Sequence, residues 1–269
     1  MVSMILDISH KTAYQFDPSP KYGLQQLRLT PKDRTGQSVL HWTLDFEGAN
    51  EEAVFTDQFN NITHLISINS GATQLIVSAK GQVDMTDQNG IVGPHMGFAP
   101  LWLYLRSTPL TAPGRGVKTL AKPFSKSGAS TLEKLHSLSK AIGEAVSYKT
   151  GQTDAMTTAE DAIKIGSGVC QDHSHIFIAA ARFAGFPARY VSGYLMMNDR
   201  IAQDATHAWA EVHIADLGWI GFDVSNKISP DARYVRVATG LDYSGAAPIS
   251  GLTFGRQSES ISVDVQVQQ

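Results

Sequence analysis

The sequence predicts an α+β chain, in which an N-terminal β-sandwich is followed by helices packed on an antiparallel β-sheet. Three observations carry this expectation. Apolar residues alternate with polar ones along most of residues 3–86, recur at spacings of three and four between residues 131 and 184, and alternate again after Pro187. The first and last patterns are those of half-buried strands, and the second is that of an amphipathic helix. Residues 1–90 are accordingly expected to form the sandwich domain and residues 91–269 the second domain.

The elements follow in order. SMILDISH, GLQQLRLTP, SVLHWTLDFEG, NITHLISIN and TQLIVSAKGQV read as strands, separated by turn residues at Asp17-Pro18, Pro31-Lys32-Asp33, Gly48-Ala49-Asn50 and Asn60-Asn61. The Gly- and Pro-rich stretch DQNGIVGPHMGFAP marks the passage to the second domain. In STLEKLHSLSKAIGEAV, the residues Leu132, Leu135, Leu138, Ile142 and Val146 form one helical stripe that starts at Ser130 or Thr131. In TTAEDAIKIG, Thr157 and Glu160 fit a capping box. CQDHSHIFIAAARFAGFPARY reads as a buried helix through Ala184, closed by Gly185 and Pro187. Strands return at ARYVSGYLM, THAWAEVHI, GWIGFDVS, RYVRVATG and ESISVDVQV, and the short ADLG joins the second and third of these as a hairpin.

Composition narrows the function classes. A chain of 269 residues with 42% hydrophobic residues can bury a large core. Its net charge of −3, with Lys and Arg scattered, offers no footprint for nucleic acid or an anionic membrane. No apolar run approaches the roughly 18 residues of a membrane span, and MVSMILDISHKTAYQF lacks the features of a signal peptide. The single cysteine, Cys170, excludes an internal disulfide and fits a reducing compartment, so the expected location is the cytoplasm. No cofactor is expected. No metal is expected either, because Asp172, His173 and His175 of DHSH diverge around a helix and no HExxH is present.

The chemistry concentrates at GSGVCQDHSH. A lone cysteine is often a small packed hydrophobe, but Cys170 opens the buried helix, where first-turn N–H groups lack intrahelical acceptors and the dipole favours a thiolate. The same N–H groups can hold the oxyanion of a tetrahedral intermediate. Gly166 and Gly168 are expected to let a substrate backbone approach. A nucleophile needs a base, and the base needs an orienting group. On THAWAEVHI the odd positions place His207, Trp209, Glu211 and His213 on one face. Asp223 ends the next strand, so it can meet His207 directly or diagonally across the hairpin. His173 is too close to Cys170 on the same helix to leave room for substrate, and is expected to be a helper or core residue. His213 has no carboxylate at hairpin distance.

These residues carry a family resemblance. GSGVCQDHSHIFIAAARFAGFPARYVSGYL, followed by HAWAEVHIADLGWIGFDVSN, resembles the core of the transglutaminase-like superfamily of papain-related cysteine enzymes. The matching features are G-x-C opening a helix, G-x-P-A-R-Y-V-x-G-Y, H-x-W-x-E on a strand and G-W-x-x-F-D on the next. LQQLRLTP and FTDQFNNITHLISI are similar to the N-terminal region of bacterial transglutaminase-like proteins, although DQFNN lacks the glycine common in that turn, and ISPDARYVRVATGLDYSGAAPISG resembles their C-terminal segment.

The resemblance implies a papain/transglutaminase-like core in residues 91–269, with Cys170 as nucleophile, His207 as general base and acid, and Asp223 as orienter. It implies a cysteine peptidase or amidase that acts on a peptide, isopeptide or related amide through a thioester. The alternatives are an acyl transferase with an amine acceptor and a non-catalytic peptide-binding module. The resemblance further implies a functional link to an ATP-grasp-type ligase. The Cys170 N–H is one expected oxyanion donor, with Tyr148 and Gln152 as candidates for a second. Specificity is expected in loops 87–128, 196–205 and 240–255, with Met196, Met197, Trp209, Tyr194 and Tyr243 as candidates to line an apolar groove. The oligomeric state stays open.

Overall fold

A computed structural model describes residues 3–122, 128–203, 205–255 and 258–269. Residues 123–127 and 204 of the expected specificity loops therefore lie outside the described residues. The chain begins with β1 (Ser3–Asp17), β2 (Tyr22–Thr30), β3 (Gln37–Glu47), β4 (Ala49–Thr56), β5 (Ile62–Ile68), β6 (Gln74–Thr86) and β7 (Ile91–Gly93). Helices α1 (Arg115–Ala121) and α2 (Thr131–Ala145) follow, then β8 (Ser147–Tyr148), α3 (Ala159–Ile165), β9 (Ser167–Gly168) and α4 (Cys170–Phe183). The rest comprises β10 (Ala188–Leu195), β11 (Ala202–Gln203), β12 (His207–Ile214), β13 (Gly218–Phe222), β14 (Tyr234–Gly240), α5 (Tyr243–Ala246), β15 (Ile249–Phe254) and β16 (Ser258–Gln268).

The sandwich consists of a five-stranded sheet, β11-β16-β1-β6-β3, facing a four-stranded one, β15-β2-β5-β4. Tyr14, Phe16, Leu27, Leu29, Ile66 and Val77 fill the space between them. The expected division at residue 90 does not describe the sheets. β15 pairs with β2 and β16 with β1 along its length, so the chain's last strands complete the first domain. Of the alternating Ile261, Val263, Val265 and Val267, the first is exposed and the second half-buried, and Val265 and Val267 are buried in one cluster with Leu6 and Ile8 of β1.

The second unit is built on the sheet β14-β10-β12-β13-β7. Helix α4 lies across it, with Ile176, Phe177 and Ala180 against Ala208, Ala210 and Val212 of β12, in the same cluster as Leu135, Leu138 and Ile142 of α2. Ser130 caps α2 in a capping box with Glu133, and Gly185, in the left-handed region at φ 90°, ends α4 as its sequence suggests. The expected box of Thr157 and Glu160 shifts by one residue. Thr158 accepts the Asp161 N–H at the start of α3, and the Glu160 carboxylate instead takes the Gly116 and Val117 N–H groups of α1 at 2.7 and 3.2 Å. A carboxylate that can satisfy two orphan donors of another helix does more there than at its own N-terminus. No described helix is long and apolar enough to cross a membrane.

Candidate active site

Cys170 is the first residue of α4, with Val169 as its extended N-cap. The turn before it is tightly specified. Gly166 has φ 73° and closes α3, with open space around its α-carbon. Gly168 is glycine for a different reason, since a Cβ there would lie 2.6 Å from the Asp172 carboxylate. That carboxylate accepts the Val169 N–H at 2.7 Å and the Thr153 hydroxyl at 2.7 Å, which fixes the entry to α4 and ties the 149–158 loop to it. The glycine expected to admit substrate is thus occupied by the helix cap. Parallel pairing of β8 with β9 sets Tyr148 beside this turn.

His207 begins β12. The β12–β13 register pairs Ala210 with Phe222, and continuing it by one residue places Asp223 opposite Trp209 and diagonal to His207. His207 Nε2–H donates to Asp223 Oδ2 at 2.7 Å. The same oxygen accepts from Asn226 Nδ2 at 2.7 Å and from the Tyr234 hydroxyl at 2.8 Å, while Oδ1 accepts the Asn226 N–H at 3.2 Å. With Nε2 turned to Asp223, Nδ1 is the remaining ring nitrogen, and Cys170 is close enough to His207 to help raise its pKa. The structure therefore brings Cys170, His207 and Asp223 together.

The electrostatics follow from burial opposed by partners. Burial alone would lower the His207 pKa, but the bonds to Asp223 and Cys170 outweigh it and raise it to about 10. Burial would raise the Asp223 pKa, yet His207, Asn226 and Tyr234 hold it below the ordinary carboxylate range. Burial, and then the facing Asp223, push the Tyr234 phenol up. The net arrangement favours an imidazolium pinned to a carboxylate.

The other histidines are occupied elsewhere. His173 Nε2–H donates to the Val146 carbonyl at 2.9 Å and Nδ1 accepts from the Ser225 hydroxyl at 2.8 Å, while burial lowers its pKa. It braces α4 against the end of α2. His175 is fully buried, accepts the Tyr243 N–H at 3.1 Å, and is pushed by burial to about 4.

A cleft of about 580 Å³ opens at His207, with Tyr148, Met196, Met197, Arg200 and Arg233 among its walls. Tyr148 is half-exposed in it and pairs with Gly168, two residues before Cys170, and burial and then Cys170 raise its pKa. Gln152 does not reach the cleft. Its amide bonds back to the Gly151 carbonyl at 3.3 Å because the 150–152 turn points it outward. Of the expected groove residues, Trp209 is buried behind His207, Tyr194 packs on the sandwich beside His10, and Tyr243 packs against Tyr190. Asn226, Tyr234 and Ser225 escaped the sequence reading. The strand RYVRVATG was legible, but nothing in its pattern says that Tyr234 would face the carboxylate that follows β13, three strands away in the sheet.

Residues 118–224, which include Cys170, His207 and Asp223, match the model of the transglutaminase-like superfamily, and residues 6–84 match that of the bacterial transglutaminase-like N-terminal region. The chain thus carries a transglutaminase-like core and a bacterial transglutaminase-like N-terminal region. Uncharacterized proteins of Mycobacterium leprae and Mycobacterium bovis are 25% and 26% identical over 97% of this chain, and the matches cover 97% and 90% of their own lengths. A crystal structure of a proposed cysteine protease from Cytophaga hutchinsonii superposes over 100% of this chain and 92% of that one, with a TM-score of 0.79 at 23% identity, which establishes the shared transglutaminase-like fold.

Proposed function

We propose that the chain is a thiol-dependent hydrolase of a peptide, isopeptide or related amide, acting in a reducing, cytoplasmic setting. The observation that carries this reading is the His207–Asp223 hydrogen bond of 2.7 Å, with Cys170 at the first turn of α4 electrostatically coupled to the same imidazole. Cys170 Sγ attacks the amide carbonyl carbon, and its proton resides on His207. The Cys170 N–H, without an intrahelical acceptor at the first turn, faces the developing oxyanion, and Tyr148 is the nearby candidate for a second donor. As the C–N bond breaks, His207 returns the proton to the leaving amine, which leaves a thioester on Cys170. Water then attacks with His207 as base, the C–S bond breaks, and the acid departs as the thiol is restored.

Two experiments test this. Iodoacetamide labelling of Cys170 should depend on pH and slow markedly in His207→Ala; an unchanged profile refutes an activated nucleophile. Incubation with a peptide library, followed by intact-mass analysis, should trap an acyl adduct on Cys170 that is absent from Cys170→Ala. Released free acid in the presence of excess primary amine supports hydrolysis, and an amide product in its place overturns hydrolysis in favour of transfer.

A further inference from the structure

A second cavity, of about 310 Å³, lies where the sandwich loops around Lys32–Thr35 and Phe59–Asn61 meet strands β7, β10 and β14 of the core sheet. Its walls carry Lys32, Arg34, Arg189 and Arg236. The compensating carboxylates are few. Glu211, fully buried on β12, accepts from Arg189 Nε at 2.6 Å and from Arg236 Nη2 at 3.0 Å, so one carboxylate serves two guanidinium groups. Asp33 is exposed and takes the Val39 N–H at 2.7 Å. Asp57 is engaged by Arg28 at 3.2 Å and Asp231 by Arg233 at 2.7 Å. Lys32 spends its ammonium on the Asn60 carbonyl and side chain at 3.2 and 2.8 Å.

Arg34 is the telling member. Its Nε is buried without a hydrogen-bond partner among the described residues, although its main chain is fixed by reciprocal bonds to Gln37. Arg34 itself is partly buried and has Glu211 as its facing carboxylate, which Arg189 and Arg236 already engage. A buried guanidinium N–H left unpaired is costly, and guanidinium forks match the oxygens of phosphate and carboxylate groups. The remaining wall is apolar, with Phe59, Val92, Pro94 and Met96. The cavity therefore has a cationic end, where three guanidinium groups share the one buried carboxylate of Glu211, and an apolar end larger than a bare ion requires.

We propose that this cavity binds a small phosphate monoester, with its dianionic phosphoryl group against Arg34, Arg189 and Arg236 and its organic group on Phe59, Val92 and Met96. The site is separate from the catalytic cleft. Glu211 stands four residues along β12 from His207, about 13 Å away at strand spacing. Two positive charges in excess suit a phosphoryl dianion better than a monocarboxylate.

The test uses the full chain in chloride buffer, with phenyl phosphate, inorganic phosphate and benzoate as probes in titration calorimetry. Phenyl phosphate should bind one to one, inorganic phosphate more weakly, and benzoate at least tenfold more weakly than phenyl phosphate. Arg34→Met should weaken phenyl phosphate at least tenfold, whereas Cys170→Ala should leave its affinity unchanged. Absence of saturable binding by phenyl phosphate, or equal affinity in folded Arg34→Met, overturns the proposal. Should Arg34→Met fail to fold, a crystal of the unmodified chain soaked in phenyl phosphate decides: density between Arg34 and Arg236 supports the site, and its absence there refutes it.

Discussion

Replacing Tyr234 with phenylalanine isolates one of the three donors on Asp223 Oδ2. The carboxylate keeps His207 and Asn226, each at 2.7 Å, and loses only the hydroxyl at 2.8 Å. The aromatic ring remains to pack edge-on against Trp209, with ring centroids 5.4 Å apart. Both partners are almost fully buried, so solvent does little to screen the bond. A hydrogen bond to a charged group contributes about 1.5–3 kcal/mol, and the variant should lose that much unfolding free energy at pH 7.

The pH dependence has a definite sign. The folded pKa of Asp223 lies below its unfolded value, so the stability of its network is present above the ordinary carboxylate range and is lost as pH falls through the folded value. The Tyr234→Phe penalty should therefore shrink in acid. His207 is raised from 6.5 to about 10, so its share is complete below about 6.5 and is lost as pH rises through about 10. Urea unfolding of both proteins at acid, neutral and alkaline pH reads these differences. Equal stabilities at pH 7, or a penalty in strong acid as large as at neutrality, would refute the reasoning.

Asp223→Asn removes the charge that holds the imidazolium, and should bring the His207 midpoint down from about 10, as followed by imidazole NMR. His173→Ala should lose about 1–3 kcal/mol of stability through its two bonds, yet retain Cys170 alkylation close to that of the unmodified chain, because its ring faces Val146 and Ser225. Glu211→Gln leaves Arg189 and Arg236 without their buried carboxylate and should cost about 3–5 kcal/mol in denaturant unfolding. Gly168→Ala forces a methyl group within 2.6 Å of the Asp172 carboxylate and should cost about 1–3 kcal/mol, visible as a lowered melting temperature.

Much of this was legible in the sequence because period and turn chemistry agree with burial. Strands β1, β2, β5 and β6 each alternate toward a filled core. Strand β4 escaped because it is a sheet edge exposed along most of its length, so its residues carry no alternation. Strand β15 escaped for a related reason. Its outward Leu252 and Phe254 are exposed, and only pairing with β2 makes the segment a strand. The meeting of His207 with Asp223 and the place of Cys170 were legible because the first two belong to one hairpin and the third to a helix start. Asn226 and Tyr234 were not, since their contact with Asp223 depends on how the chain returns after β13. Arg34 was equally hidden, because its role arises from loops that meet only in the folded chain.

The pairing of β16 between β1 and β11 has a consequence in the order of synthesis. The ribosome synthesises the whole catalytic core before it makes the strand that covers the long edge of β1. Until then β1 presents a row of unpaired amides, which is a template for misassociation. The same late strand reaches the active-site wall. Residues 202–203 pair with Gln266 and Val265, and the Val267 N–H bonds to the Ile201 carbonyl, just past the Met196–Arg200 rim of the cleft. The thiol and imidazole are thus made before β16, and the substrate wall is anchored only once β16 docks.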